Sequence, residues 1–191
     1  MIDAHKIKQD FPIFKVHPGL VYLDSTATSL KPKSVLDKEN EYYTKYTANI
    51  FRGIYKLSEK ATIEYETARA KIAHFIGTID SREIVFVRNA TEAINLVMSS
   101  WGWFNIHQGD ELVISVMEHH ANFVTWQQLT KVVGCKLSIV RLTKDGYLDE
   151  EDLLSKVNRK TKLVAFCHVS NVLGTINSVK KLIQEIKKRN S

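Results

Sequence analysis

The stretch Glu111-Leu112-Val113-Ile114-Ser115-Val116 is a short apolar run, and it empties directly into Met117-Glu118-His119-His120-Ala121-Asn122. A compact apolar run of this length reads as a strand buried in a sheet covered by helices, the setting of parallel strands. An acid and two adjacent histidines at the exit of such a strand have two readings. They cap an ordinary turn, or they are working groups held at the rim of a sheet.

Working outward, the same rhythm of apolar run and helical segment recurs. Glu83-Ile84-Val85-Phe86-Val87 precedes a helix over Ala90 to Trp101, and the run at Glu111 precedes a helix near Asn122 to Val132. Lys136-Leu137-Ser138-Ile139-Val140 leads through Lys144-Asp145-Gly146 to a helix near Asp149 to Lys156. Lys162-Leu163-Val164-Ala165-Phe166 leads to one from about Val179 to Lys188. The alternation predicts an α/β fold with a mostly parallel sheet and helices on both faces. Upstream, after a short leading helix, Val21-Tyr22-Leu23 reads as a short strand and Pro32 opens a helix from Lys33 to Tyr46. A longer helix begins near Leu57, with Ala61, Tyr65, Ala68, Ile72 and Phe75 along one stripe and Gly77 placed to stop it.

Composition excludes several classes of function. The 191 residues are 44% hydrophobic and 25% charged, ordinary for a packed domain, and the net charge of +6 is scattered rather than gathered into a basic face. The densest cluster, Lys187-Lys188-Arg189, ends a helix, where cations suit the dipole, and no nucleic-acid-binding motif accompanies it. Two cysteines, Cys135 and Cys167, without a CxxC pattern, point to a reducing compartment and read as buried small hydrophobes. Neither a signal-peptide pattern nor a membrane-length apolar run occurs, so a cytoplasmic protein that binds neither membrane nor nucleic acid is expected.

In open α/β sheets ligands lie outside the carboxyl ends of the strands, and three of those ends are polar here. In Arg88-Asn89-Ala90-Thr91-Glu92, Asn89 can cap the next helix with Glu92 as capping-box partner, or the free amides and the Thr91 hydroxyl can hold a phosphate. In Glu118-His119-His120, adjacent histidines on an extended segment point apart and suit a shared metal poorly. One of them can instead face a cleft as an aromatic platform and proton carrier. In His168-Val169-Ser170-Asn171-Val172-Leu173-Gly174-Thr175, Ser170 and Asn171 can bond their own backbone while Gly174 takes a positive φ, or Asn171 can reach a ligand. Three polar strand ends in one parallel sheet converge on one cleft, which favours a cofactor site. There is no P-loop, no GxGxxG, no GxSxG and no paired cysteine metal motif.

With those residues assembled, the chain closely resembles the N-terminal part of the SUF-type, group II cysteine desulfurases, enzymes of the class V aminotransferase superfamily that use pyridoxal phosphate (PLP). The resemblance runs through Gln9-Asp10-Phe11-Pro12, Tyr22-Leu23-Asp24-Ser25, Arg52-Gly53-Ile54, Arg88 to Leu96, Met117 to Asn122 and His168 to Thr175. It implies the PLP-dependent transferase fold type I, with an N-terminal arm and first helix over 1–56 and a partial PLP-binding large domain over 57–191. By the same resemblance Ala90 and Thr91 hold the cofactor phosphate, and His119 stacks on the pyridine ring and serves as the catalytic proton shuttle. Asn171 bonds the phenolic oxygen, and His120 is a neighbour. Phe51, Tyr55 and Thr125 depart from residues common in the family.

The implied reaction converts L-cysteine to L-alanine and passes the sulfur through an enzyme persulfide to an acceptor protein of iron–sulfur cluster assembly, in a homodimer when complete. The resemblance also implies an acid, a Schiff-base lysine and a nucleophilic cysteine further along the family's chain, and none of their motifs occurs in these 191 residues. Neither Cys135 nor Cys167 matches the nucleophile. Because the alternating pattern stops where another strand is due, the expectation is a fragment or the first half of a split gene, inactive by itself. Another class V enzyme such as a selenocysteine lyase, or a non-catalytic phosphate-binding or interaction module, stands as the alternative.

Overall fold

The computed structural model describes residues 3–189; residues 1–2 and 190–191, on which the readings of the two chain ends partly rest, lie outside them. The chain divides into two compact units, Met1–Phe86 and Val87–Ser191.

The first unit is helical: α1 (Ala4–Lys8), α2 (Ile13–Val16), α3 (Lys33–Lys45) and α4 (Lys56–Ile76). Pro32, extended, precedes α3, and α4 stops at Gly77, whose φ of 89° is a left-handed conformation that glycine adopts without a Cβ penalty. The expected stripe on α4 is buried only near its start. Ala61 is buried, but Ile72 and Phe75 are exposed, and near the end of the helix it is Ala73, off the expected stripe, that is buried. In the helix's first turn Ser58 Oγ donates to the Asn49 carbonyl at 2.7 Å and accepts from the Gly53 amide at 3.1 Å. A Cβ on Gly53 would lie 2.4 Å from that hydroxyl, so only glycine fits the turn. Val21-Tyr22-Leu23 is not a strand; Val21 and Leu23 are exposed and the segment joins no ladder. Ile84 to Val87 follows a 3-10 turn at Ser81–Glu83 in neither helix nor strand, and it too has no ladder partner among the described residues. An apolar run is a strand only where a second strand takes its amides and carbonyls, and pairing is not written in the run itself.

The second unit carries the sheet. It opens with α5 (Ala90–Val97), which passes through a π turn at Met98–Gly102 into α6 (Trp103–Asn105), so the helix expected to run straight to Trp101 is widened by a bulge. A Cβ on the buried Gly102 would stand 3.0 Å from Leu129 Cδ2, which is why a glycine sits at this turn. The alternation that follows is the expected one: β1 (Glu111–Ser115), α7 (His120–Val133), β2 (Lys136–Val140), α8 (Glu150–Lys156), β3 (Thr161–Ala165) and α9 (Val179–Arg189). The strands are parallel in the order β2-β1-β3. Glu111 pairs with Thr161 but Leu112 with Leu163, so Lys162 is an extra residue that bulges β3 at its start.

Successive side chains of β1 point to opposite faces, and both faces are covered. Leu112 and Ile114 pack with Trp126 and Leu129 of α7, while Val113 packs with Leu153 of α8 and Leu182 of α9. Thus α7 lies on one face and α8 and α9 on the other, the expected α/β arrangement of a parallel sheet with helices on both faces. Asp152 ties α8 to the end of β2. Its side chain is largely buried, accepts from Lys156 Nζ, and takes the Arg141 amide at 2.8 Å.

The hydrogen bond from Lys156, followed by that from the Arg141 amide, holds the Asp152 carboxyl below its ordinary value. A lowered carboxyl contributes stability that is complete above its unfolded pKa and is lost as pH falls through the folded value. Asp152→Asn should therefore lower the unfolding free energy at pH 7 by about 1–3 kcal/mol, with the deficit shrinking toward zero in acid. Urea unfolding across a pH series measures it, and a deficit constant with pH would contradict the assignment.

Candidate cofactor site

The chain leaves β1 for α7 on one face and leaves the adjacent β3 for α9 on the other. Neighbouring strands whose connections depart to opposite faces open a crevice between their carboxyl ends, and ligands of open α/β sheets bind there. The post-strand segments 116–119 and 166–178 flank that crevice.

His119 is extended, with φ −60° and ψ 146°, and acts as the N-cap of α7: its Nδ1 accepts from the Ala121 amide at 3.1 Å. A ring nitrogen that accepts has no proton, so the neutral ring carries its proton on Nε2, leaving Nε2 and the ring face available. The expectation that the two histidines diverge on an extended segment does not hold. His120 is already the first residue of α7, and a helical step follows an extended one, so both rings border one cleft with centroids 6.3 Å apart. That cleft of about 420 Å3 is also lined by Thr91, Asn95 and Met98.

Thr91 comes to the cleft on the first turn of α5. Asn89 is the N-cap, its Oδ1 accepting from the Glu92 amide at 2.9 Å. The reciprocal half of the capping box is displaced by one residue: Glu92 Oε2 accepts from the Arg88 amide at 2.7 Å rather than from Asn89. The cap therefore occupies one helix-start amide. Among the described residues the amides of Ala90 and Thr91 and the Thr91 hydroxyl have no hydrogen-bond partner. Two unpaired amides and a hydroxyl at the positive end of a helix are a donor set that suits a phosphate. Thr91 also borders a second hollow of about 690 Å3 with Arg88, Asn89 and Glu92.

Asn171 stands in the loop after β3, exposed, and its side-chain amide has no partner among the described residues. The loop around it is braced by Ser170, which is buried; its Oγ accepts from the Leu173 amide at 3.1 Å and its carbonyl from the Gly174 amide at 2.9 Å. Gly174 has φ 71°, the positive value expected from the sequence. Asn171 is not among the residues lining the His119 cleft. A larger hollow of about 860 Å3 beside His168, Asn177 and the start of α9 shares no residue with that cleft, and the Val179 amide there is already bonded to the Asn177 carbonyl.

Two side chains that the sequence left without a role hold these pieces together. Glu118 accepts at both ends, from the Cys167 amide at 2.9 Å and from Asn122 Nδ2 at 2.7 Å. Asn177 is buried and donates through Nδ2 to the Cys167 carbonyl at 2.8 Å. The spacing of Asn122 and Trp126 is a visible signal of one helix face, but Cys167 is 49 residues from Glu118 and nothing local announces that bond. Burial pushes both the Cys135 and the Cys167 thiols up, and the Glu118 charge adds to the rise at Cys167, so neither is poised as a thiolate.

A parallel sheet covered by helices on both faces, with a donor set suited to an anion at one helix start, defines an α/β protein; the comparisons with known proteins narrow it to the PLP-dependent fold type I. The sequence profile described as Aminotransferase class-V matches residues 21–191, and the chain belongs to that family. It is 47% identical over 186 residues to a probable cysteine desulfurase of Halalkalibacterium halodurans, covering 96% of this chain and 46% of that protein. To a probable cysteine desulfurase of Streptomyces coelicolor it is 45% identical over 192 residues, again covering 96% of this chain and 46% of that one. The apo structure of a cysteine desulfurase from Thermococcus onnurineus NA1 superposes with a TM-score of 0.90 at 39% identity, over 100% of this chain and 46% of that one. The chain thus spans about half the length of the relatives it matches.

Because His119 caps α7 through Nδ1, His119→Ala should cost about 1 kcal/mol of stability, whereas His119→Asn, which keeps a capping acceptor, should cost only a few tenths. Thermal unfolding of the two variants separates them; equal losses would mean that the cap is not what His119 contributes to the fold.

Proposed function

We propose that this chain belongs to a SUF-type (group II) cysteine desulfurase and supplies the noncovalent grip on pyridoxal phosphate. The observation that carries the reading is Thr91, with the unpartnered amide of Ala90 beside it in the chain, on the same cleft as His119, in a chain 47% and 45% identical to two probable cysteine desulfurases. Residues 57–191 would form part of the PLP-binding large domain and residues 1–56 its N-terminal arm and first helix.

The residues divide the work by chemistry. The Ala90 and Thr91 amides and the Thr91 hydroxyl bind the phosphate at the positive end of α5. The His119 ring, fixed by its Nδ1 bond, would offer its face to the pyridine ring, and its Nε2 would hold or pass a proton in the cleft. The Asn171 amide would donate to the phenolic oxygen. When bound, the cofactor supplies an electron sink for bonds at the substrate carbon. The substrate is L-cysteine, the carbon product L-alanine, and the sulfur leaves through an enzyme persulfide to an acceptor protein of iron–sulfur assembly. The complete enzyme is a cytoplasmic homodimer. No helix among the described residues is long and apolar enough to cross a membrane.

The family's covalent lysine and its nucleophilic cysteine have no counterpart within these 191 residues, so the purified chain should release no sulfide from L-cysteine in the presence of pyridoxal phosphate. It should still bind the cofactor reversibly, and Thr91→Val should weaken that binding about tenfold by removing one charge-assisted hydrogen bond. Fluorescence titration and a sulfide assay read the two outcomes. Sulfide release would contradict the claim that the chain lacks the essential lysine and cysteine, and binding indifferent to Thr91→Val would sink the proposed phosphate grip.

A further inference from the structure

The side chain of Glu118 meets two donors and, among the described residues, no acceptor. One donor is the backbone amide of Cys167, whose direction is set by the chain leaving β3. The other is Asn122 Nδ2, and its orientation is set in turn by Trp126, whose indole Nε1 donates to Asn122 Oδ1 at 2.9 Å. An indole N–H can only donate, so Asn122 must turn its oxygen to Trp126 and its NH2 to Glu118. Trp126 is itself 3% exposed and packed against Leu112 and Ile114, so this orientation is anchored in the sheet's own core. The relay leaves position 118 a single chemical option, a group that accepts at both ends, and only a carboxylate of this length does so.

The two ends of that carboxylate belong to different parts of the site. Asn122 lies in the first turn of α7, one turn beyond His119; Cys167 is the root of the loop that carries Asn171, and its carbonyl is held by Asn177. We infer that Glu118 is a positioning residue: its doubly accepting carboxylate sets the spacing between the His119 platform and the Asn171 loop across the β1/β3 crevice. What those two segments grip rests on the PLP reading above, but the bridge between them does not.

The polarity of the relay makes the inference testable by exchange. Glu118→Gln keeps size and places an NH2 against one of two donors. Asn122→Asp alone sets two carboxylates against each other. The pair E118Q/N122D reverses the relay. The carboxylate introduced at position 122 accepts from Trp126 with one oxygen and, with the other, from the NH2 introduced at position 118, whose carbonyl still accepts from Cys167. In the full 191-residue chain, amide hydrogen exchange at Cys167 and the NMR signals of the Trp126 indole and the His119 ring report the bridge, and pyridoxal phosphate titration reports the site. Each single variant should speed exchange at Cys167, shift the His119 signals and weaken cofactor binding about tenfold or more, and the double variant should restore most of all three. A double variant no better than E118Q, or E118Q that leaves exchange and the His119 signals unchanged, overturns the inference. So does E118Q that loses the bridge while binding the cofactor as well as the unaltered chain. If the unaltered chain binds no pyridoxal phosphate, the cofactor reading fails alone, because the exchange and His119 signals still decide whether Glu118 holds the two segments.

Discussion

Water is excluded from both faces of β1. Leu112, Val113 and Ile114 are essentially without solvent contact, two of them against α7 and one against α8 and α9. A strand in that position cannot tolerate polar side chains along its length, nor can its backbone go unpaired, so β2 and β3 must flank it and helices must cover it from both sides. The connections must then leave neighbouring strands in opposite directions. The crevice at the carboxyl ends of β1 and β3 follows from the covering of β1 and not from any residue within the crevice.

Polar groups gather where that constraint ends. Ser115, still buried, turns its Oγ to the Met117 amide at 2.9 Å, and just beyond it Glu118 reaches across to β3's exit. Cys167 has its amide bonded to Glu118 and its carbonyl to Asn177, so the root of the Asn171 loop is satisfied on both sides by side chains. Buried backbone groups demand partners once the ladder stops, and the side chains that meet that demand are the ones that aim the loops. The same bonds that end the sheet therefore shape the site.

At α5 the balance is different. The cap from Asn89 satisfies one amide and leaves those of Ala90 and Thr91 without protein partners among the described residues, as at any helix start only partly capped. Donors left open at the positive end of a helix suit an anion, and the chain belongs to the class V aminotransferase family. His119 serves both ends: one nitrogen closes the α7 terminus and the rest of the ring faces the cleft.

Local pattern was enough for β1, β2 and β3 within about a residue at each end, for the helix stop at Gly77 and the turn at Gly174, and for the Asn89 cap, because each depends on side chains a few residues apart. It misread Val21–Leu23 and the run before Arg88 as strands, since a strand exists only with a partner, and it drew the two histidines apart because it could not see that α7 begins between them. The motifs also marked Ala90, Thr91, His119 and Asn171, but as residue types at strand ends. What joined Glu118 to Cys167 was a contact across 49 residues, and what turned Asn122 toward Glu118 was a tryptophan oriented by the core of the sheet. Periodicity, capping and turn chemistry are properties of neighbours along the chain. Strand pairing and the direction of a hydrogen bond between distant segments arise only when the chain is folded, because only packing decides which donor meets which acceptor.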